Sequence, residues 1–293
     1  DADTTIDDTG GWDLGTQHYQ NAGQAKFGTI DVADALKVSS DIFFFQLGAQ
    51  AVDHDDLIQR WAARFGFGRR TGIDLPGEAA GLVPDATWRT DGYTAYRTCV
   101  EKAHLTAGSW AALYRCGGID KPWTPGDNVN LAVGQGDLQA TPLQMATAYS
   151  TVINGGKVPR PHVGLEVEDA AGRTLQGIDP GAARHVNISP GNRQAILDGL
   201  HLAASAAGGT SADVFRGFPH PVYGKTGTAE RPGQEDQSWY VCYVPDGKRP
   251  IVVAVTIEQG GFGAEAAAPA ARLILSQWFG VKKKLVRGSS RTR

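Results

Sequence analysis

The side chains best suited to chemistry lie together in one short segment near residue 225. Lys225, Thr226, Gly227 and Thr228 interrupt a run with the pattern of a β-strand, "VYGKTGTA" (222–229). A lysine there places positive charge beside a groove, two hydroxyls can hold a carboxylate, and a glycine lets a ligand approach the backbone. Backbone N–H groups at a strand edge can also donate to an oxyanion. Taken alone, however, an ordinary surface strand explains the segment at least as well.

A second candidate segment is Ser39-Ser40-Asp41, far upstream in the chain. Residues 30–52 are apolar at helical spacing, but the two serines interrupt the pattern. We therefore predict two short helices joined by a tight turn at 38–40. A serine in such a turn can cap the following helix, and this is the simpler interpretation of Ser39 when it is considered alone. A catalytic interpretation requires the turn to face Lys225 across a cleft.

The elements that must position these residues change in type along the chain. Helices are predicted over 53–68, 141–156, 189–209 and 263–280, the second with Thr141 as cap, Pro142 in the first turn and Gln144 completing a capping box. Three strand-like runs lie between the last two helices, and the turn "DGK" joins the second and third. Helices followed by antiparallel strands and a terminal helix indicate an α+β fold.

Two regions have weaker patterns. Residues 88–127 have little periodicity, and we expect an irregular excursion with one helix near 101–112. Residues 158–187 alternate well enough to predict a hairpin. We expect one domain over 1–280 and a basic, flexible tail over 281–293.

Composition excludes several classes of protein. Charged residues are 20% of the chain and the net charge is −3, so no nucleic-acid-binding surface is indicated. The acidic, polar opening has the pattern of neither a signal peptide nor a membrane anchor. The three cysteines match no zinc pattern. Cys99 and Cys116 either pair in an oxidising compartment or are two unrelated small residues, and Cys242 is expected to be buried.

Together the two candidate segments resemble motifs of the penicillin-recognising serine acyltransferases, which carry Ser-x-x-Lys, Ser-x-Asn and Lys-Thr-Gly. The similarity extends over about residues 10–280 and is strongest in four segments: "RTGIDLPGEAAGLVPDATW", "WTPGDNVNLAVGQGDLQATPLQMATAYSTVINGG", "GKTGTAE" and "SWYVCYVP". In these segments the chain is similar to class B penicillin-binding proteins of the elongation, or penicillin-binding protein 2, type. The resemblance implies a transpeptidase fold shared with serine β-lactamases: an antiparallel sheet packed by helices, plus a helical subdomain.

Three departures from the family pattern stand out. The asparagine of the second motif is Asp41, which we interpret as a variant, and residues 90–121 have the character of an insertion. No serine in the chain is followed three positions later by lysine. We therefore expect the nucleophilic serine to lie upstream of Asp1.

The resemblance implies a D,D-transpeptidase that cross-links peptidoglycan stem peptides through a serine acyl-enzyme and is inhibited by β-lactams. It implies that Ser39 relays protons, that Asp41 positions the absent lysine or the substrate, and that Lys225 supplies positive potential. Thr226 and Thr228 would hold the substrate carboxylate, with the N–H of Thr228 as one oxyanion donor. An ionised Asp41 would also stabilise the ammonium form of that lysine.

The resemblance requires no metal or cofactor. It implies as partners peptidoglycan stem peptides ending in D-Ala-D-Ala, β-lactams and a cell-wall glycosyltransferase, with the domain at the outer face of the cytoplasmic membrane and anchored by its parent. Two alternatives stay open. The first is a non-catalytic scaffold in a cell-wall assembly, favoured by the missing Ser-x-x-Lys. The second is a β-lactam sensor or class D β-lactamase relative.

Overall fold

The computed structural model describes residues 1–54, 56–181, 184–231 and 233–292. The helices are α1 (Val32–Val38), α2 (Asp41–Gln50), α3 (Leu57–Phe65), α4 (Ala86–Lys102), α5 (Trp110–Cys116), α6 (Pro125–Ala132), α7 (Pro142–Ile153), α8 (Pro190–Ser205), α9 (Ala212–Phe215) and α10 (Ala267–Phe279). The strands are β1 (Ile6–Asp8), β2 (Gly11–Leu14), β3 (Gln17–Gln20), β4 (Gly28–Ile30), β5 (Lys157–Val158), β6 (Glu166–Glu168), β7 (Thr174–Gly177), β8 (Arg184–His185), β9 (Tyr223–Ala229), β10 (Gln237–Val244) and β11 (Ile251–Ile257).

The central sheet is antiparallel, with the strand order β11-β10-β9. Its largest core packs the sheet against α10 and α9, with Tyr240, Cys242 and Val253 from the strands and Ala271 and Leu275 from the terminal helix. Along β9, buried positions alternate with half-buried ones because one face of the strand covers this core. Strand β9 lies at an edge of the described sheet, so its outer backbone groups are available to neighbours.

A helical part lies beside the sheet and carries the Ser39 turn. Helix α1 packs on α8, and α2 packs on α6. Ile42, Phe45 and Val129 form the α2–α6 core. A second small core joins β1 and β4 to the first helices through Ile6, Ile30 and Phe43. The two helices predicted on either side of residues 38–40 are confirmed.

Several other predicted elements are confirmed with their sequence signals. Thr141 accepts from the Gln144 N–H, and Gln144 Oε1 accepts from the Thr141 N–H, which completes the capping box of α7. Ser189 caps α8. Strands β6 and β7 form the hairpin expected within 158–187; residues 182 and 183 of that range lie outside the described residues.

The expectation for residues 88–127 is wrong. Instead of one helix near 101–112, α4 and α5 flank a loop that includes most of that range. Asp85 caps α4 through the Trp88 N–H, and a disulfide joins Cys99 to Cys116 with their Cα atoms 5.6 Å apart. The helical hairpin formed by α4 and α5 buries few side chains, chiefly Tyr96, Val100 and Ala112. Its apolar periodicity is therefore weak, and a covalent link stabilises it in addition to its core.

The tail beyond 280 follows the surface of the domain as far as the structure describes it. The Gly288 N–H donates to the Ala264 carbonyl, and Ser289 donates to Asp213. A boundary at 280 and a flexible tail stay predictions. Among the helices of the described residues, none combines the length and the apolar character needed to cross a bilayer.

Candidate active site

The Ser39 turn is a strained junction between α1 and α2. Asp31 caps α1 by accepting the Asp34 N–H at 2.9 Å. Ser39 then adopts the left-handed conformation, with φ 58° and ψ 54°, which is unfavourable for a residue with a Cβ atom. Ser40 starts the next helix by accepting the Phe43 N–H at 3.0 Å. The turn therefore presents the Ser39 side chain outside both helices.

Lys225 lies directly opposite this turn. Its Nζ donates to Ser39 Oγ at 2.7 Å and to the Thr226 carbonyl at 3.0 Å. The expectation that the serine turn and the lysine strand face each other across one cleft is confirmed. A hydroxyl that touches an ammonium group can pass a proton to or from a third group beside them.

Asp41 and Lys225 both titrate near neutrality because both are taken out of water. Burial raises the pKa of Asp41 to about 7, and the charges of Asp8 and Glu230 act in the same direction. The Lys225 charge and a hydrogen bond from the Ala22 N–H oppose that rise. Burial likewise lowers the pKa of Lys225 to about 8, against the charge of Asp41. Paired groups with pKa values shifted toward the working pH are typical of proton-transfer sites.

The two threonine side chains of the motif lie on the face of β9 away from Lys225. Thr226 Oγ1 donates to Thr210 Oγ1 at 2.8 Å. Thr228 Oγ1 donates to the Thr292 carbonyl at 2.9 Å and accepts the Gly263 N–H at 3.4 Å. Both side chains are buried. Their role as carboxylate ligands stays a prediction.

Gly227 lies where β9 and β10 approach closely. A Cβ atom at this position would stand 3.1 Å from Trp239 Cβ on the neighbouring strand. The missing side chain thus leaves space for Trp239. The use of that space for a ligand, expected from the sequence, stays a prediction.

The outer edge of β9 is held by Gln135, which sequence reasoning did not single out. Its Nε2 donates to the Thr228 carbonyl at 3.0 Å, and its Oε1 accepts the Glu230 N–H at 3.2 Å. The N–H and C=O of one residue in an antiparallel strand point to the same side. Since the Thr228 carbonyl points away from β10, its N–H points to the cleft as well. This is the orientation that an oxyanion donor needs.

Two adjoining cavities flank this edge. One of about 820 Å³ is lined by Asp41, Asn130 and Arg291. The other, of about 630 Å³, is lined by the segment 225–231. Gln135 borders both. Each has the size of a small-molecule or peptide-end pocket.

The described part of the tail reaches the rim of this cleft. Arg291 pairs with Glu265 at 3.2 Å and lies over the Phe262 ring. The next residue, Thr292, accepts the Thr228 hydroxyl proton. Within the described residues, no group of three or more His, Cys, Asp or Glu side chains is placed to hold a metal ion.

Two further residues at the turn were missed from sequence. Asp8 and Asn21 are buried and hydrogen-bonded to each other and to the start of α2. No local pattern marks them, because their contacts join segments distant in sequence. For Gln135 the only signal is its place between Gly134 and Gly136, both at positive φ.

Comparison with known proteins places this geometry in a family. Residues 1–276 match the family described as the penicillin binding protein transpeptidase domain. The chain is 28% identical to the peptidoglycan D,D-transpeptidase MrdA of Haemophilus influenzae, covering 94% of this chain and 40% of that protein. It is 27% identical to the protein of the same name from Escherichia coli K12, covering 89% of this chain and 39% of that one. The chain thus spans about two fifths of the length of these curated relatives.

A solved structure shows the same fold. Penicillin-binding protein 2 of Pseudomonas aeruginosa in complex with WCK 5153 aligns with a TM-score of 0.74 and 26% identity, over 97% of this chain and 57% of that one. The expected α+β transpeptidase fold is confirmed, as is the resemblance to penicillin-binding protein 2. The chain belongs to the penicillin-binding-protein transpeptidase family, with relatives of the penicillin-binding protein 2, or MrdA, type.

Proposed function

We propose that the protein containing this chain is a peptidoglycan D,D-transpeptidase that works through a serine acyl-enzyme. The observation that carries the proposal is the 2.7 Å hydrogen bond from Lys225 Nζ to Ser39 Oγ beside the outer edge of β9. It joins two motifs of the family at one cleft, next to a backbone donor and two cavities of suitable size. The relatives named peptidoglycan D,D-transpeptidase support the same reaction.

In the proposed acylation step, a serine oxygen attacks the carbonyl carbon of the penultimate D-alanine. The serine proton passes to the lysine of its own Ser-x-x-Lys motif. The Thr228 N–H stabilises the oxyanion, a contribution of about 3 kcal/mol for one such donor. The C–N bond then breaks, and Ser39 delivers a proton to the departing D-alanine amine.

In the second step, an acceptor amine attacks the acyl ester and loses a proton to Ser39, which passes it to the lysine of the Ser-x-x-Lys motif. That lysine protonates the serine oxygen as the ester C–O bond breaks. Lys225 keeps positive charge at the cleft and orients the Ser39 hydroxyl. Asp41, whose pKa burial raises to about 7, can donate to the substrate when protonated or pair with the lysine of the Ser-x-x-Lys motif when ionised. Thr226 and Thr228 are proposed ligands of the terminal carboxylate, after Thr228 exchanges its present bond to Thr292.

The chain contains no Ser-x-x-Lys that could supply the proposed nucleophile. We propose that it lies in the part of the protein upstream of Asp1, and that the parent is membrane-anchored with this domain at the outer face of the membrane. The Cys99–Cys116 disulfide supports an oxidising location. A glycosyltransferase partner is proposed because a related chain, 29% identical, belongs to a peptidoglycan synthase complex that coordinates polymerization and crosslinking.

A scaffold without acyl transfer is the second candidate, and the missing motif is the observation that favours it. Labelling with a fluorescent penicillin separates the two. The full-length protein should form a covalent adduct that unlabelled β-lactam blocks, and replacing the upstream serine should abolish it. The 293-residue chain alone should stay unlabelled. A full-length protein that neither labels nor releases D-alanine from a stem peptide would contradict the enzyme and favour the scaffold.

A further inference from the structure

A buried carboxylate lies beneath the Ser39 turn. Asp8 ends β1 and has no exposed surface. Its Oδ1 accepts from the Gly10 N–H at 2.9 Å and from Asn21 Nδ2 at 2.7 Å. Its Oδ2 accepts from Asn21 Nδ2 at 2.9 Å and from Ser40 Oγ at 2.5 Å. None of the ion pairs between described residues includes Asp8.

Every polar contact of the carboxyl group is with a donor. Ser40 Oγ already accepts the Phe43 N–H, so its one proton is directed to Asp8. This is the pattern of an ionised carboxylate, which only accepts. A buried charge without a cation persists where several hydrogen bonds satisfy it.

The contacts of Asp8 extend to both sides of Asp41. Ser40 precedes Asp41 and is bonded to Asp8 directly. Ile42 follows Asp41, and its N–H donates to Asn21 Oδ1 at 3.0 Å. Asn21 is itself fixed by a bond to the Ala25 carbonyl at 2.8 Å. One carboxylate and one amide thus connect the first strand to the residues before and after Asp41.

Asp8 also acts on Asp41 through charge. The charged groups facing Asp41 come from three segments: Lys225 on β9, Glu230 just after it, and Asp8 on β1. The Ala22 N–H adds a hydrogen bond. Asp8 is itself held in its buried site by four hydrogen bonds.

We propose that Asp8 is a positioning residue: through Ser40 and Asn21 it fixes the turn that presents Ser39 to Lys225. The electrostatic part of its action, described above, accompanies this geometry. The effect on transpeptidation rests on the proposed function. The position of the Ser39 turn and the effect of the Asp8 charge on Asp41 are properties of the 293-residue chain itself, and both can be measured without any reaction.

The first experiment uses the 293-residue chain. Asp8→Asn removes the charge and turns an amide N–H₂ toward groups that are themselves donors. The carboxyl carbon of Asp41 is followed by NMR across the pH range. We expect the titration midpoint of the Asp41 carboxyl group to move to lower pH, since a like charge has been removed. Asp31→Asn is the matched control: it removes a carboxylate at the start of α1, and the Asp41 midpoint should stay unchanged.

A folded Asp8→Asn chain with the native Asp41 midpoint would overturn the electrostatic part. Should that variant fail to fold, Ser40→Ala tests the positioning part, since it keeps the Asp8 charge and removes the Ser40 hydroxyl, with both its bond to Asp8 and its cap on the Phe43 N–H. In the full-length protein, we expect Ser40→Ala to slow acylation by penicillin about ten- to a hundredfold. The midpoint of the pH dependence of the acylation rate should be unchanged. A native rate in Ser40→Ala would overturn this part.

The failure of this inference differs from failure of the proposed function. If the full-length native protein is not acylated, the enzyme proposal fails, while the NMR comparison on the chain still decides the role of Asp8. If the native protein is acylated and Asp8→Asn reproduces its rate and pH profile, the enzyme stands and the positioning role is wrong.

Discussion

Lys225 Nζ and Ser39 Oγ, 186 residues apart in sequence, lie 2.7 Å apart. The contact joins an edge strand of the sheet to a turn in the helical part, so it depends on the packing of both. Helix α8 connects them, because it packs on α1 and on β9. The relative position of the lysine and the serine is therefore set by the α1–α8–β9 packing.

The left-handed backbone at Ser39 leads to a prediction on stability. Ser39→Ala and Ser39→Gly both remove the hydroxyl, but only glycine adopts φ 58° without strain. We expect Ser39→Gly to exceed Ser39→Ala in free energy of unfolding by about 1 kcal/mol. Urea denaturation of the 293-residue chain measures the difference. Equal stabilities would show that the turn is not strained.

The buried Asp41 makes stability depend on pH. Its pKa is about 7 in the native state against 3.8 for an ordinary aspartate, so between these values the native state keeps a proton that the unfolded state releases. The contribution of protonated Asp41 to the free energy of unfolding is complete below about pH 4 and is lost as the pH rises to about 7. The native chain should lose stability relative to Asp41→Asn over this range.

Urea denaturation of both chains at several pH values tests the direction of this pH dependence. The comparison with Asp41→Asn cancels the other titrating groups, which both chains share. A stability difference that is constant with pH, or that grows in favour of the native chain from pH 4 to 7, would contradict the raised pKa.

Gln135 gives a prediction on the edge strand. Gln135→Ala removes both bonds to β9, and Gln135→Glu keeps an acceptor for the Glu230 N–H but loses the donor to the Thr228 carbonyl. We expect both to slow penicillin acylation of the full-length protein by about tenfold or more, because the Thr228 N–H is no longer fixed. Gln176→Ala, an exposed amide on β7 that lines neither cavity, is the control. Native acylation rates in both variants would show that Gln135 does not position the Thr228 N–H for an oxyanion.

The tail prediction concerns residues 281–293. In the Arg291–Glu265 pair the arginine side chain is 73% exposed and the glutamate 34%, and solvent-screened pairs of this kind contribute about 1 kcal/mol or less. We expect deletion of the tail to leave a cooperatively folded chain that is less stable by at most about 2 kcal/mol, as urea denaturation would show. An unfolded or non-cooperative product would place the domain boundary beyond 280.

Local signals predicted the parts of the site that depend on neighbours in sequence. Thr141 caps its helix as predicted, and the break at 38–40 followed from the interrupted apolar pattern. The interpretation of Ser39 as the cap of the second helix is wrong, because Ser40 caps α2 and Ser39 ends α1. The contact between Ser39 and Lys225 came from a family resemblance, since no local rule relates such distant residues. Asp8, Asn21 and Gln135 were missed because each bonds across the fold to backbone or hydroxyl groups that any sequence provides. The α4–α5 hairpin was missed because its small core leaves no strong period.

The central claim is that Ser39 and Lys225 act as one proton-handling unit, and a double-mutant cycle on acylation rate tests it most directly. Ser39→Ala, Lys225→Met and the double variant are compared with the native full-length protein by stopped-flow labelling with a fluorescent penicillin. Each single change should slow acylation by about a hundredfold or more, and the double variant should be little slower than either one. Losses that multiply in the double variant would contradict the account, since the two side chains would then act independently.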